Sequence, residues 1–341
     1  MIEIYPGQES AMNRRSFLQY GGQAAALAPF WAPALTELSR LEAAAQAVPA
    51  GVLRRIGITT VCFRDRFGST RDKKTGPVPA GEELTLLTAP KFIADTLGLH
   101  NVEIWSAQFA DQSIDYCKQI RSAAEAVKSR ITNIQVDGSE NLSDPDAAKR
   151  AASVETIKRW MDRAAAVGAP TCRANTGGGP PEAWDVNRTA DSFRQLAQYG
   201  KKIGVKILVE NHIGYSADID KVVAVITAVN DPYCRAICDW GNSPNNEGRV
   251  AALSKLFPFL ELVSAKELDF DENNKHINYD VVPIIKATES SGYKGIYSIE
   301  FYGKPPKDTV AAARDMIKAL SANLRQAQVR LEHSREANIS A

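Results

Sequence analysis

The sequence predicts a single-domain (β/α)8 TIM barrel, and three observations predict it. From residue 55 onward, short β-rich runs alternate with longer helical patterns eight times. Such alternation requires parallel strands joined by crossover helices, whose simplest closed form is a barrel. The stretch 48–334 is long enough for one, since barrels of this kind take about 250 residues. Finally, an open doubly wound sheet would announce a glycine-rich turn after its first strand, and Thr59-Thr60-Val61-Cys62-Phe63-Arg64-Asp65-Arg66-Phe67-Gly68-Ser69 has no such fingerprint.

Taken in order, the expected strands are 56–63, 101–109, 131–137, 171–176, 205–211, 234–239, 260–266 and 295–301, each a short run rich in apolar and β-branched residues. Helical patterns occupy 113–128, 144–167, 187–203, 218–229, 251–256 and 280–290, and a final pattern at 308–332 closes the chain before a disordered tail at 335–341. Residues 64–88, rich in charge, glycine and proline, read as a long first loop at the barrel mouth. The only glycine cluster, Thr176-Gly177-Gly178-Gly179-Pro180-Pro181, follows the fourth strand. No lysine follows it and its prolines remove backbone donors, so a turn leading into a rigid loop is expected there rather than a phosphate cradle.

Composition bounds the function. Of 341 residues 44% are hydrophobic and 24% charged, which is neither disordered nor fibrous. Lys+Arg 41 against Asp+Glu 40 leaves no global field to draw in nucleic acid or an anionic membrane. Five cysteines, Cys62, Cys117, Cys172, Cys234 and Cys238, cannot all pair within one chain, and none has the CxxC or CxxH spacing of a zinc site. Buried small hydrophobes are the expected identity.

In a TIM barrel the carboxyl ends of the strands carry the chemistry. Strand five ends Val209-Glu210-Asn211-His212, strand six Cys238-Asp239-Trp240-Gly241-Asn242 and strand eight Ser298-Ile299-Glu300-Phe301-Tyr302-Gly303. Each places an acid after an apolar run. Three carboxylates converging on one mouth repel one another unless a cation sits among them, and oxygen-rich sites suit Mn²⁺, Mg²⁺ or related ions. Taken singly, each of these acids reads as a solvated loop group, and His212 as a satisfied loop histidine. Trp105 and Trp240 are expected as core or rim aromatics, with a sugar-stacking platform as the alternative. Cys62 and Gln135 receive no role.

Glu-Asn-His on strand five, Asp-Trp-Gly-Asn on strand six and Ile-Glu-Phe-Tyr on strand eight, one motif per βα unit, resemble the sugar isomerase/epimerase superfamily, the xylose isomerase-like TIM barrels. The resemblance covers nearly the whole chain after Arg55. It implies one divalent ion per chain (Mn, Mg, Co or Zn) held by Glu210, Asp239 and Glu300. The family's strand-seven ligand is a histidine two residues before a lysine, and here Val263-Ser264-Ala265-Lys266-Glu267 puts Ser264 in that place. Either three carboxylates hold the metal, or it binds weakly, or the site has abandoned it. Implied roles are proton transfer by Glu210 and Glu300 on two faces of a sugar, substrate contact or ligand support by His212, and polarisation of a substrate oxygen by Lys266. The related apurinic endonuclease branch is set aside, since its trinuclear zinc needs several histidines and only His212 of the four sits at an expected mouth position.

Before the barrel, Asn13-Arg14-Arg15-Ser16-Phe17-Leu18-Gln19 resembles a twin-arginine export signal, with a weakly apolar stretch at 20–35 and small residues Ala45-Gln46-Ala47 for cleavage. Residues 1–47 are therefore expected to be removed, after passage through the twin-arginine translocase, leaving a periplasmic protein with no stable membrane association. An exported enzyme meets few sugar phosphates. The expected substrate is an unphosphorylated sugar, isomerised or epimerised through an enediolate by proton abstraction next to a carbonyl. Two alternatives stand beside that reading: a lyase or dehydratase on a keto-sugar or keto-glycoside, and a non-catalytic exported sugar-binding barrel.

Overall fold

A computed structural model describes residues 50–243 and 247–339. The expected signal segment lies outside them. Eight parallel strands, β1 (Ile56–Thr59), β2 (Asn101–Trp105), β3 (Arg130–Gln135), β4 (Thr171–Ala174), β5 (Lys206–Glu210), β6 (Cys234–Asp239), β7 (Leu260–Glu267) and β8 (Ile296–Phe301), pair in chain order. The barrel closes where β1 pairs with β8 through Ile56–Tyr297, Gly57–Ser298 and Ile58–Ile299.

One helix follows each strand: α1 (Ala89–Leu97), α2 (Ile114–Ala126), α3 (Ala147–Val167), α4 (Val186–Ile203), α5 (Ile219–Val229), α6 (Arg249–Ser254), α7 (Val282–Ser290) and α8 (Thr309–Ile339). Their starts have a sequence cause. Ser113, Asp146, Asp185 and Asp218 accept hydrogen bonds from the first free backbone N–H groups of α2, α3, α4 and α5. Gly98, Gly168, Gly204 and Asn230 end α1, α3, α4 and α5 in the left-handed conformation. Sequence reasoning missed α1, although Pro90 in its first turn and Gly98 at its end bracket it. It also ended the last helix too early, because positions 335–339 continue α8.

Several expected strands are too long at their carboxyl ends. Residues 60–63 and 106–108 leave the sheet as 3-10 turns. The two turns bond to each other instead of extending the ladder, Trp105 N–H donating to Thr60 Oγ1 and the Gln108 amide to the Thr60 carbonyl. Arg64 donates to the carbonyls of Phe301 and Gly303, pinning the first loop to the end of β8.

Inside the barrel, side chains alternate in layers. Leu208, Ile237 and Leu262, with Ile296 against them, form a buried apolar cluster. Two residues further along β5, β6, β7 and β8 stand Glu210, Asp239, Ser264 and Ser298, and two further on β7 and β8 stand Lys266 and Glu300. Cross-strand register pairs Asp239 with Ser264, Ser264 with Ser298, and Lys266 with Glu300. An apolar plug thus supports a polar mouth.

All five cysteines are buried and unpaired, as expected of small hydrophobes. Among the described residues, no helix is long and apolar enough to cross a membrane.

Candidate active site

The strand ends bring Gln135 of β3, Arg173 of β4, Glu210 of β5, Asp239 of β6, Ser264 and Lys266 of β7 and Glu300 of β8 together, all nearly inaccessible to solvent. Buried charges must find partners. The Lys266 ammonium donates to Asp239 Oδ2 at 2.8 Å and to Asn242 Oδ1 at 3.3 Å, and it lies 3.0 Å from Glu300 Oε1. Ser264 Oγ stands 3.2 Å from both Asp239 Oδ2 and Glu300 Oε2. Gln135 donates to Glu300 Oε2 at 2.8 Å and in turn accepts from Thr59 Oγ1 at 3.0 Å, so a chain of hydrogen bonds from β1 orients the β8 carboxylate.

Arg173 forms a second centre. Its Nη1 donates to Asp137 Oδ1 at 2.5 Å and to the Val136 carbonyl at 3.0 Å, and its Nε is 2.8 Å from Glu210 Oε2. That last approach is an ion pair by distance but is not aligned as a hydrogen bond, and Glu210 Oε1 has no hydrogen-bond partner among the described residues. Beside it, His212 Nδ1 is 3.1 Å from Asn175 Oδ1. Because the Asn175 amide nitrogen already donates to Asp137, its oxygen is the acceptor and the imidazole proton is assigned to Nδ1. Nε2 is therefore a free base.

Electrostatics follow from this crowding. Burial raises Glu210 and Asp239 above the usual carboxylate range, with Arg173 and Lys266 opposing only in part. Burial also raises Glu300, but Lys266 and Gln135 outweigh it and leave the carboxyl below its ordinary value, hence ionised. Asp137 is driven well below the carboxylate range because Arg173 overcomes the cost of burial. Burial, aided by Arg173 and Lys266, lowers His212 to about 4. The two cations themselves are pushed up, the surrounding carboxylates outweighing burial, and stay charged.

Above these groups opens a cleft of about 370 Å³, inside the range of small-molecule sites. Arg173, His212, Lys266 and Glu300 line it, whereas Glu210 and Asp239 lie beneath. Tyr302, 52% exposed, forms a rim, with Arg64 at 5.4 Å and Lys266 at 5.5 Å from its ring. Of the two tryptophans considered, Trp105 lines the cleft and donates to Asp137 Oδ2 at 2.8 Å. Trp240 is fully buried against Tyr297, which corrects the platform alternative for that residue.

The carboxylates do not fit the expected metal. Among the described residues, no three of His, Cys, Asp and Glu approach one point closely enough to share an ion. Glu210 is turned to Arg173, and an ammonium already bridges Asp239 and Glu300. Ser264, in the place of a ligating imidazole, offers a hydroxyl engaged by the same two carboxylates. The expected ligand set Glu210, Asp239, Glu300 is thus divided between two internal cations.

The glycine run also has a packing cause. Gly177 has φ +85° and a Cβ there would meet Asn141, while Gly214 on the next loop has φ +62° and would meet the Gly177 carbonyl. The two loops touch backbone to backbone, joined by Tyr215 N to Gly177 O at 3.1 Å. Sequence reasoning missed Arg173, Asp137, Asn175 and Asn211. Arg173 had a signal, a charge inside the otherwise uncharged run Thr171-Cys172-Arg173-Ala174. Asn211 clamps the end of β6, its amide donating to the Asp239 carbonyl and its oxygen accepting from the Asp239 N–H, both at 2.8 Å.

A family profile described as xylose isomerase-like TIM barrel matches residues 92–320. Compared by sequence with curated proteins, the chain matches none. Similar solved structures include a xylose isomerase domain protein from Planctomyces limnophilus, at 17% identity over 80% of this chain and 98% of that one, with a TM-score of 0.58. Another is 3-keto-D-glucoside 4-epimerase from E. coli, at 15% identity over 79% and 99% with a TM-score of 0.57. A xylose isomerase-like TIM barrel protein from Mycobacterium smegmatis in complex with magnesium matches at 19% identity over 80% and 99%, also at 0.57. At these identities the likeness is one of fold.

Proposed function

The chain belongs to the xylose isomerase-like TIM barrel family, and on that premise we propose that it is a sugar isomerase or epimerase acting on an unphosphorylated keto-sugar or keto-glycoside. The observation that carries this reading is the juxtaposition in one cleft of an ionised carboxylate, Glu300, with a buried ammonium, Lys266, 3.0 Å away. Abstraction of a proton next to a carbonyl needs both: a base for the C–H and a positive group for the oxygen that gains charge. His212, on the β5 side of the cleft with Nε2 unprotonated, supplies a second base, able to take the proton of a substrate hydroxyl and pass it to the former carbonyl oxygen.

In this reading the sugar lies on the Tyr302 rim with its carbonyl oxygen toward Lys266. Glu300 takes the α-proton, the electron pair moves onto the carbonyl oxygen, and proton return completes the reaction. A solvent proton delivered to the opposite face, with Glu300 releasing its own to solvent, epimerises. Return of the Glu300 proton to the former carbonyl carbon, with His212 carrying the hydroxyl proton between the two oxygens, isomerises. Departure of a β-oxygen with a proton gives the lyase outcome. A sugar without phosphate is supported by the filled glycine loop, whose backbone is occupied by the Tyr215 loop rather than open as a cradle. The 3-keto-D-glucoside 4-epimerase among the structural relatives acts on a sugar of the proposed kind. The donors present do not fit a metal, since Glu210 faces Arg173 and the Lys266 ammonium lies between Asp239 and Glu300.

The test is solvent exchange. Incubated in D₂O with a panel of free ketoses, aldoses and keto-glycosides, the protein should place deuterium on the α-carbon of at least one of them, and the position of the label in the product identifies the branch. Binding of sugars, seen as thermal shifts, with no exchange on any of them would instead establish the non-catalytic barrel. Export is proposed on the paired arginines: Arg14→Lys with Arg15→Lys should retain a longer precursor in the cytoplasm, and unaltered export would refute the signal.

A further inference from the structure

We infer that the Lys266 ammonium, backed by the Arg173 guanidinium, is the resident cation of this site and stands where the family resemblance places a divalent ion. The inference rests on the sugar reading for its substrate but not for its central observation, which is how the buried charges are divided. Three features of the mouth lead to it.

The first is the side chain at 264. On β7 the inward face presents Ser264 and then Lys266, two residues along the same face. A serine is short, and its hydroxyl sits level with two carboxylate oxygens at 3.2 Å. The strand-seven edge of the cleft is therefore left to the longer residue above it. The second feature is what Lys266 does there. An ammonium has three N–H groups, and here three oxygens lie within reach, on Asp239, Glu300 and Asn242. Bridging carboxylates from β6 and β8 is the task a metal would perform. A divalent ion touching both carboxylates would be forced against a like charge already between them. The third is Glu210. Its charge answers Arg173, which Asp137 holds from the other side, so it is drawn away from the Asp239–Glu300 pair.

The chemical consequence is balanced without a metal. Glu300 carboxylate takes the proton, the C–H electron pair forms the new carbon–carbon double bond, and the carbonyl π electrons become an oxyanion that accepts a hydrogen bond from Lys266. The reverse sequence regenerates the carbonyl. Nothing is oxidised or reduced, and the ammonium keeps its proton throughout.

Metal titration and solvent exchange together test this. The mature protein, stripped with a chelator and dialysed against Mn²⁺, should retain far less than one ion per chain by elemental analysis and native mass spectrometry. The double variant Ser264→His with Lys266→Met should take up about one, because it restores an imidazole and removes the competing charge. Should that variant fail to fold, the wild-type titration still decides. One Mn²⁺ per wild-type chain that is lost in Asp239→Asn and Glu300→Gln would overturn the inference. So would solvent exchange that disappears with chelator and returns with Mn²⁺. Exchange unaffected by chelator, abolished per folded molecule by Lys266→Met and partly rescued by Lys266→Arg supports it, with a lower melting temperature expected for Lys266→Met because Asp239 and Glu300 lose their shared partner. If no sugar exchanges under any condition, the sugar reading fails, and the titration alone still judges the resident cation.

Discussion

At the amino ends of the strands Arg55 meets one carboxylate, whereas at the carboxyl ends Arg173 and Lys266 are divided among four. The Arg55 guanidinium grips Glu289 through two bonds, of 2.9 and 2.6 Å, and donates two more to the carbonyls of Tyr293 and Gly295. Tyr297 completes the pair by donating to Glu289 at 2.7 Å. Charge is balanced and the partners are satisfied. At the mouth, Asp137, Glu210, Asp239 and Glu300 outnumber their cations two to one, and neither oxygen of Glu210 has a hydrogen bond among the described residues. The two ends use the same residue types, and the contrast between them separates a clasp from a reactive centre. Balanced buried charge locks geometry, and unbalanced buried charge shifts pKa values and holds free energy for chemistry.

The largest effect is expected of Glu300→Gln. It preserves shape and removes the base, so α-deuterium exchange should fall by about 10²–10⁴-fold with little change in melting temperature. Exchange within tenfold of the wild type would return Glu300 to a supporting role. Next in size, Arg55→Met should lower the unfolding free energy by roughly 3–5 kcal/mol in urea titration, because Glu289 is left buried and unpaired. Exchange per folded molecule should be unaltered. If that variant proves as stable as the wild type, the amino-end pair is not the clasp described.

His212→Asn is expected to have a smaller and more selective effect. With Glu300 intact, substrate should still exchange its α-proton while product formation slows by about tenfold or more, the signature of a second proton-transfer group. Equal slowing of both would place His212 in substrate binding alone. The smallest effects lie in pH. His212, lowered to about 4, stays neutral well below the ordinary imidazole range, so exchange should show no loss near pH 6.5. Between about 6.5 and 4 the unfolded state takes up the proton first, so this group's share of stability is present above that window and lost as pH falls through it. Glu103, buried beneath the site and raised by burial to about 7, works in the opposite direction. Its contribution is present below the unfolded carboxylate value and lost as pH rises toward 7. Glu103→Gln should flatten that decline in melting temperature, and an unchanged slope would remove Glu103 from the account.

Much of this was legible in the chain. β6 matches its expected span at both ends, and the remaining strands start within a residue of expectation. Glu210, Asp239 and Glu300 were found because each stands at the carboxyl end of an apolar run, whereas Lys266 was read from the family resemblance. Ser264 was readable as a departure from the same family pattern, two residues before Lys266. Arg173 was harder, since in the four-residue β4 no long alternation marks which side chain faces inward. Asp137 lies beyond the end of β3, and nothing local says that its carboxylate turns back toward the neighbouring strand.

By itself the sequence determined the order of strands and helices, because caps, apolar runs and alternation act over a few neighbouring residues. It also determined that acids would crowd the carboxyl ends. Only the tertiary structure decided which cation each acid meets. That choice depends on distances between strands, fixed by the register with which the barrel closes, and register sets Lys266 level with Glu300 and Ser264 level with Asp239. That register is what divides the acids between Arg173 and Lys266.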